Sequence, residues 1–132
     1  IGQATSDDGI HWQKQDGKQI IADKLHEQES MALPTVCKIG EYYCMFFCYR
    51  ESVDFRQNPD RGYRLGFAYS TDLKFWTRND ELAGIDLSDQ GWDSEMMCYP
   101  HLFEHNNQVY LLYNGNNFGQ EGFGLARLSG YE

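Results

Sequence analysis

The sequence predicts an all-β chain, a partial β-propeller of about two blades of four-stranded antiparallel sheet. Three observations carry this reading. First, "ATSDDGIHW" at 4–12 returns as "AYSTDLKFW" at 68–76, with Ala4, Ser6, Asp8 and Trp12 each 64 residues ahead of Ala68, Ser70, Asp72 and Trp76. Second, "ESMALPTV" at 29–36 returns as "EMMCYPHL" at 95–102, with Glu29, Met31 and Pro34 each 66 residues ahead of Glu95, Met97 and Pro100. Third, no stretch of about ten residues has apolar groups at helical spacing. A period of this length marks stacked supersecondary units, and four short strands per unit, covered on both faces, describe a propeller blade.

Taken in order, each unit reads as follows. Pro34 or Pro100 is expected to open a strand, where its missing N–H does no harm. Gly40 and the Asn106-Asn107 pair supply hairpin turns that tolerate positive φ. The dense apolar runs "YYCMFFCY" at 42–49 and "VYLLY" at 109–113 follow and should be covered on both sides. The next strand carries Φ-G-x-A, whose glycine permits close backbone approach; it occurs as "LGFA" at 65–68, as "IGQA" at 1–4 and as "FGLA" at 123–126. Ser-x-Asp-x-x-x-Trp then makes a tight turn in which Asp8 and Asp72 accept backbone N–H groups, while Trp12 and Trp76 are expected in the core.

On this division 1–20 is the end of one blade, 29–80 a complete blade and 95–128 three strands of the last, all within one partial propeller at 1–132. The third Φ-G-x-A runs into "RLSGYE" without the turn motif. The chain opens on Ile1, inside a blade, which predicts further sequence ahead of it. Two blades do not close a ring of at least four. The expectation is either a piece of a larger protein, with N-terminal blades missing, or a homo-oligomer. In an open piece the 42–49 and 109–113 blades would each leave one apolar face uncovered, which favours association.

Composition narrows the partners. Aromatic residues make up 15% of the 132 residues, suited to sheet surfaces and sugar-stacking walls. A net charge of −9 argues against nucleic acid and anionic membrane, and no apolar run approaches the length of a membrane span. Cys37, Cys44, Cys48 and Cys98 form no CxxC and lie in apolar runs. They read as reduced core residues, consistent with a cytoplasmic location, and neither a metal nor a cofactor is expected.

The stretches "YRLGFAYSTDLKFWTRND", "GIDLSDQGWDSEMMCYPHLFEHNNQVYLLYNGNNFG" and "GFGLARL" resemble the C-terminal part of five-bladed β-propeller glycosidase-like proteins, relatives of glycoside hydrolase families 43 and 32. The resemblance implies relatives more than twice as long. It also implies an active site at the mouth of the central channel, built from carboxylates on several blades. The family's Asp base belongs to an early blade with no counterpart here, so the chain by itself is expected to be inactive.

Glycosidic cleavage needs one carboxyl to protonate the leaving oxygen and a second, roughly 5–5.5 Å or 6.5–9.5 Å away, to attack or to activate water. Glu95, shortly before Pro100, is the first candidate for a catalytic carboxylate and Asp93 the second. Glu29 holds the equivalent position and is a candidate sugar contact; the recurrence equally allows a Glu that caps backbone N–H groups in every blade. Trp92 stands outside the repeat as a stacking platform. His101, Asn114 and Asn116 are candidates for sugar hydroxyls, and Arg50 and Arg56 for a carboxylate or phosphate. Gly115 and Gly119 read as turn residues. The alternative class is a non-catalytic carbohydrate-binding module that assembles from small propeller pieces.

Overall fold

The computed structural model describes residues 1–130; Tyr131 and Glu132, which close "RLSGYE", lie outside the described residues. Three antiparallel sheets follow one another along the chain. The first pairs β1 (Ala4–Thr5) with β2 (Gln13–Lys14). The second has four strands in sequence order, β3 (Glu29–Ile39), β4 (Tyr42–Glu51), β5 (Arg64–Ser70) and β6 (Thr77–Arg78). The third has β7 (Cys98–His105), β8 (Gln108–Asn114) and β9 (Phe123–Arg127). Among the described residues there is no α-helix, and no helix long and apolar enough to cross a membrane. The fold is all-β, a partial propeller.

The hairpins form where the sequence supplies residues for positive φ. Gly40 sits at φ 61°, and Asn106 and Asn107 at 50° and 59°. The prolines differ from expectation. Neither opens its strand; each lies inside, at a bulge, with the ladder jumping from Ala32 to Thr35 and from Cys98 to His101. Proline has no N–H for the ladder, so the extra residue of a bulge takes it out of register. Leu33 and Tyr99, the residues before the two prolines, both turn to positive φ at 51° and 54°. Across the bulges Leu102 N donates to Thr35 Oγ1 at 3.0 Å, joining the second and third sheets.

The Ser-x-Asp turn is built identically twice. Asp8 Oδ1 accepts from Ile10 N and His11 N, and Asp72 Oδ1 from Lys74 N and Phe75 N, all at 2.8–2.9 Å. These N–H bonds hold the Asp72 carboxyl below the usual carboxylate range, and at Asp8 the His11 side chain adds the largest share. The tryptophans part company. Trp76 packs against the core of the second sheet, whereas Trp12 is 62% exposed, against expectation. The reason is that β1 and β2 have no described inner strands for the Trp12 indole to cover.

β4 is covered on both sides. One face, with Cys44 and Phe46, joins Leu65, Phe67, Met97, Leu102 and Leu111 in a core between the second and third sheets. The other, with Met45, Phe47 and Tyr49, packs on Ile21, Leu25 and Ile1. The N-terminal segment thus covers a face expected to lie open. β8 does leave one face open, as expected of the 109–113 blade: Val109, Leu111 and Tyr113 are buried, while the opposite face of its sheet carries Phe123 and Leu125 at 73% and 59% exposure. Only one side of the third sheet finds a described neighbour.

The glycine of Φ-G-x-A has a packing cause. A Cβ on Gly66 would lie 2.3 Å from the ring of Phe47, its cross-strand partner, and one on Gly124 would lie 2.7 Å from the ring of Tyr113, its own. Gly66→Ala is expected to lower stability by about 1–3 kcal/mol through overpacking against the fully buried Phe47; a urea titration reads the loss, and an unchanged midpoint would contradict this packing. All four cysteines are unbridged, Cys44, Cys48 and Cys98 buried and Cys37 half-buried. Burial pushes the thiols of Cys48 and Cys98 up to about 11 and about 12, so both should label with thiol reagents only on unfolding. Fast native-state labelling of either, followed by mass spectrometry, would show that the strands are misplaced.

Candidate functional site

Three segments meet at one end of the second and third sheets: the β4–β5 connection at 52–63, the approach to β7 at 91–97, and the β8–β9 connection at 115–122. They are tied together by backbone bonds, Met97 N to Tyr63 O at 3.1 Å and Asn116 N to Trp92 O at 2.7 Å. Loops gathered at one end of rigid strands are where sites are commonly built.

Glu95 has the most firmly held backbone here. Its N–H donates to Asn116 Oδ1 at 2.8 Å, and its carbonyl accepts from Arg64 Nη1 at 2.7 Å. Arg64 also binds the carbonyls of Pro59, Gly62 and Tyr63. Side chains from β5 and from the β8–β9 loop therefore hold the peptide on both sides. The Glu95 side chain is exposed and its carboxylate has no partner among the described residues.

Glu29, at the equivalent repeat position, is the opposite case. Its carboxylate is fully buried, accepts from Lys24 N and Leu25 N at 2.9 Å, and pairs with Arg78 Nη1 at 2.5 Å. Arg78 in turn is forked onto Asp80 and donates to Ala22 O. Glu29 closes the second sheet onto the N-terminal segment and has no free oxygen for a sugar, so its expected place among the sugar contacts is corrected to a structural one.

Asp93 is buried, and its Oδ2 accepts from Tyr113 Oη at 3.1 Å. Burial first, and this bond second, push the Tyr113 phenol up. Asn116, expected to reach sugar hydroxyls, is buried and spends its amide internally. Oδ1 accepts from Glu95 N and Met96 N, and Nδ2 donates to Gly91 O and Glu121 Oε2. It is a clamp for the Glu95 loop. Asn114 is half-buried and donates to Phe118 O at 3.2 Å.

Trp92 stacks on Tyr113, with centroids 5.7 Å apart and planes at 18°. It is seated on glycines: a Cβ on Gly115, Gly122 or Gly124 would meet the indole at 2.5, 3.2 or 2.7 Å. Gly115 is therefore required by close approach, not by turn geometry as expected, while Gly119 does adopt positive φ, at 95°. His101 lies on the open outer face of the third sheet, exposed, alongside Phe103 at 6.1 Å. No group of three His, Cys, Asp or Glu side chains is arranged for a metal among the described residues.

Arg50 and Arg56 lean on an aromatic cluster that sequence reasoning missed. Arg50 Cζ stands 3.6 Å from the centroid of Phe55 and Arg56 Cζ 4.8 Å from the same ring. Phe55 makes an edge contact with Tyr63 and another with Phe118, and Tyr63 and Phe118 both contact Tyr99. These four aromatics come from two loops and the start of β7, so only their individual positions, not their meeting, could be read along the chain. Burial, then the neighbouring Tyr63, pushes the Tyr99 phenol up. The ensemble offers one exposed carboxyl on a clamped backbone, in a segment bonded to the loop that carries the aromatic wall and the two guanidiniums.

No protein-family model matches the chain. Two uncharacterized proteins of Mycobacterium tuberculosis, MT1551 of strain CDC 1551 / Oshkosh and Rv1502 of strain ATCC 25618 / H37Rv, are each 39% identical to it over 129 residues. The match takes in 97% of this chain and 40% of each relative, so the chain spans less than half the length of the curated proteins it resembles. Among solved structures, a glycoside hydrolase superimposes with a TM-score of 0.67 at 25% identity, covering 96% of this chain and 34% of that one. An RGII complex of BT0996 gives 0.64 at 25%, with the same coverage. An exo-1,5-alpha-L-arabinanase from a bovine ruminal metagenomic library gives 0.52 at 13%, over 74% of this chain and 35% of that one, a likeness of fold alone. The chain has a glycosidase-like fold.

The two equivalent glutamates should separate cleanly on substitution. Glu29→Ala removes one of the two carboxylates of a buried guanidinium and the acceptor of two backbone N–H groups, and is expected to cost about 1–3 kcal/mol. Glu95→Gln, exposed and unpaired, should stay within about 0.5 kcal/mol of the parent. Equal losses in chemical denaturation would show that both carboxylates are structural.

Proposed function

We propose that this chain is part of a carbohydrate-active, glycoside-hydrolase-like propeller of five blades, to which 1–20 contributes the end of one blade, 29–80 a complete one and 95–128 three strands of another. The observation that carries the reading is Glu95: an exposed carboxyl on a backbone clamped by Asn116 and Arg64, at the loop end of sheets that superimpose on a glycoside hydrolase. Preorganisation of this kind suits a group that must meet a glycosidic oxygen in one geometry. Glu95 would protonate the leaving oxygen, and the second carboxylate would come from another blade. Asp93, turned inward onto Tyr113, would act by positioning Tyr113 and Trp92. Trp92 and the Phe55–Tyr99 cluster would supply stacking surface for sugar rings.

The second reading, a non-catalytic carbohydrate-binding module assembled from several copies, draws on two observations. Asp93 is buried, which leaves Glu95 as the exposed one of the two candidate carboxyls where cleavage needs two. The outer face of the third sheet, with Phe123 and Leu125, is an apolar surface that another copy would cover.

Residues 1–132 alone should not hydrolyse aryl glycosides. When the remaining blades are supplied on one polypeptide or added in trans, turnover should appear, and Glu95→Gln should lower it about 10²–10⁴-fold. Full turnover in Glu95→Gln would remove Glu95 from the mechanism. Glycan binding by a sedimenting oligomer of this chain, with no turnover however the blades are supplied, would decide for the second reading.

A further inference from the structure

The β4–β5 loop and the end of β4 hold positive charge that the chain does not neutralise. The acidic residues nearby, Glu51 and Asp54, both lie against Arg61, at 3.3 and 3.7 Å. Arg50 and Arg56 are left without a carboxylate within ion-pairing distance among the described residues, although the protein carries a net charge of −9. Both rest on one ring, that of Phe55. A guanidinium stacked in this way keeps its N–H edge free for a planar anion. Arg50 uses Nη1 on its neighbour Glu51 O at 3.0 Å, while its Nε is buried with no acceptor. A buried donor without a partner is a standing cost, and two cations on one ring repel each other. One carboxylate or phosphate group between the two guanidiniums would relieve their repulsion.

The surroundings specify what bears that anion. Tyr63, Tyr99 and Phe118 continue the aromatic surface away from Phe55, a wall on which a ring can stack. The same Tyr63 carbonyl that accepts from Met97 N ties this wall to the segment presenting Glu95. We infer that the Arg50–Arg56–Phe55 cluster is a subsite for an anionic sugar, a ring carrying a carboxylate or a phosphate, next to the Glu95 carboxyl. The inference rests on the carbohydrate reading of the site and names its substrate class.

Ligand-observed NMR titrations of the chain with D-galacturonate, D-galactose, glucose 6-phosphate, glucose and inorganic phosphate test it. At least one acidic sugar should bind about tenfold or more tightly than its neutral parent, with the preference shrinking as salt is raised; the galacturonate and phosphate arms tell which anion is read. Arg56→Gln, at an exposed position, should abolish the preference without moving the unfolding midpoint; Arg50→Gln should abolish it as well. Equal binding of acidic and neutral sugars, or a preference unchanged in Arg56→Gln, overturns the inference and leaves the carbohydrate reading standing. Inorganic phosphate binding as tightly as the sugar phosphate, with no neutral sugar bound, overturns the carbohydrate reading and the sugar subsite together. So does the absence of binding by every sugar.

Discussion

A strand that is apolar on both faces has to be covered twice, and the arrangement of this protein follows from that requirement at β4. Six consecutive residues from Cys44 to Tyr49 are buried. Phe46 and Cys44 face the third sheet, and Phe47, Met45 and Tyr49 face the N-terminal segment. Burying side chains of this size contributes on the order of 1.5–3 kcal/mol each, more than any surface contact offers. The two coverings therefore fix where the third sheet and the N-terminal segment lie. The glycines of Φ-G-x-A follow from the same packing, since Phe47 and Tyr113 lie flat over their cross-strand partners Gly66 and Gly124. With the sheets fixed, the loops at the ends of β4 and β8 have one place to meet.

The two repeat copies show how one position yields two roles. Glu29 and Glu95 both precede the bulged proline by five residues. Glu29 meets Arg78, supplied by the fourth strand of its sheet, and becomes half of a buried pair. The third sheet has three described strands, and no arginine stands in that place for Glu95. A carboxylate without a cation is expensive to bury, so Glu95 faces solvent, and Asn116 and Arg64 bind its backbone in place of its side chain. Divergence of partner, with the sheet scaffold kept, separates a structural residue from one available to a ligand.

Charge adds a second layer. At a net −9 the protein repels anions at long range, but the field of distant surface charges fades over about 8–10 Å in physiological salt. Inside the loop cluster the nearest charges are the two guanidiniums on Phe55, with Glu51 and Asp54 occupied by Arg61. Local pairing, more than net charge, sets what the cluster attracts.

Features determined by the sequence itself are those closed within a few residues. The Ser-x-Asp turn needs only the hydroxyl, the carboxylate and the N–H groups two and three positions on, and both copies form it. The hairpins needed only residues that accept positive φ at Gly40 and Asn106-Asn107. Strand order followed from apolar runs separated by such turns. Tertiary structure alone decided the rest, because burial depends on which distant element arrives to cover a side chain. The same tryptophan of the same motif packs against the core at Trp76 and is exposed at Trp12. Asp93 and Glu95, two residues apart, face inward and outward because Tyr113 reaches one and nothing reaches the other. Asn116 became a clamp and Gly115 a seat for Trp92 once the β8–β9 loop folded under residues 91–96. Phe55, Tyr63, Tyr99 and Phe118 form one wall because two loops and the start of β7 come together at the same place, and no local spacing along the chain encodes that meeting.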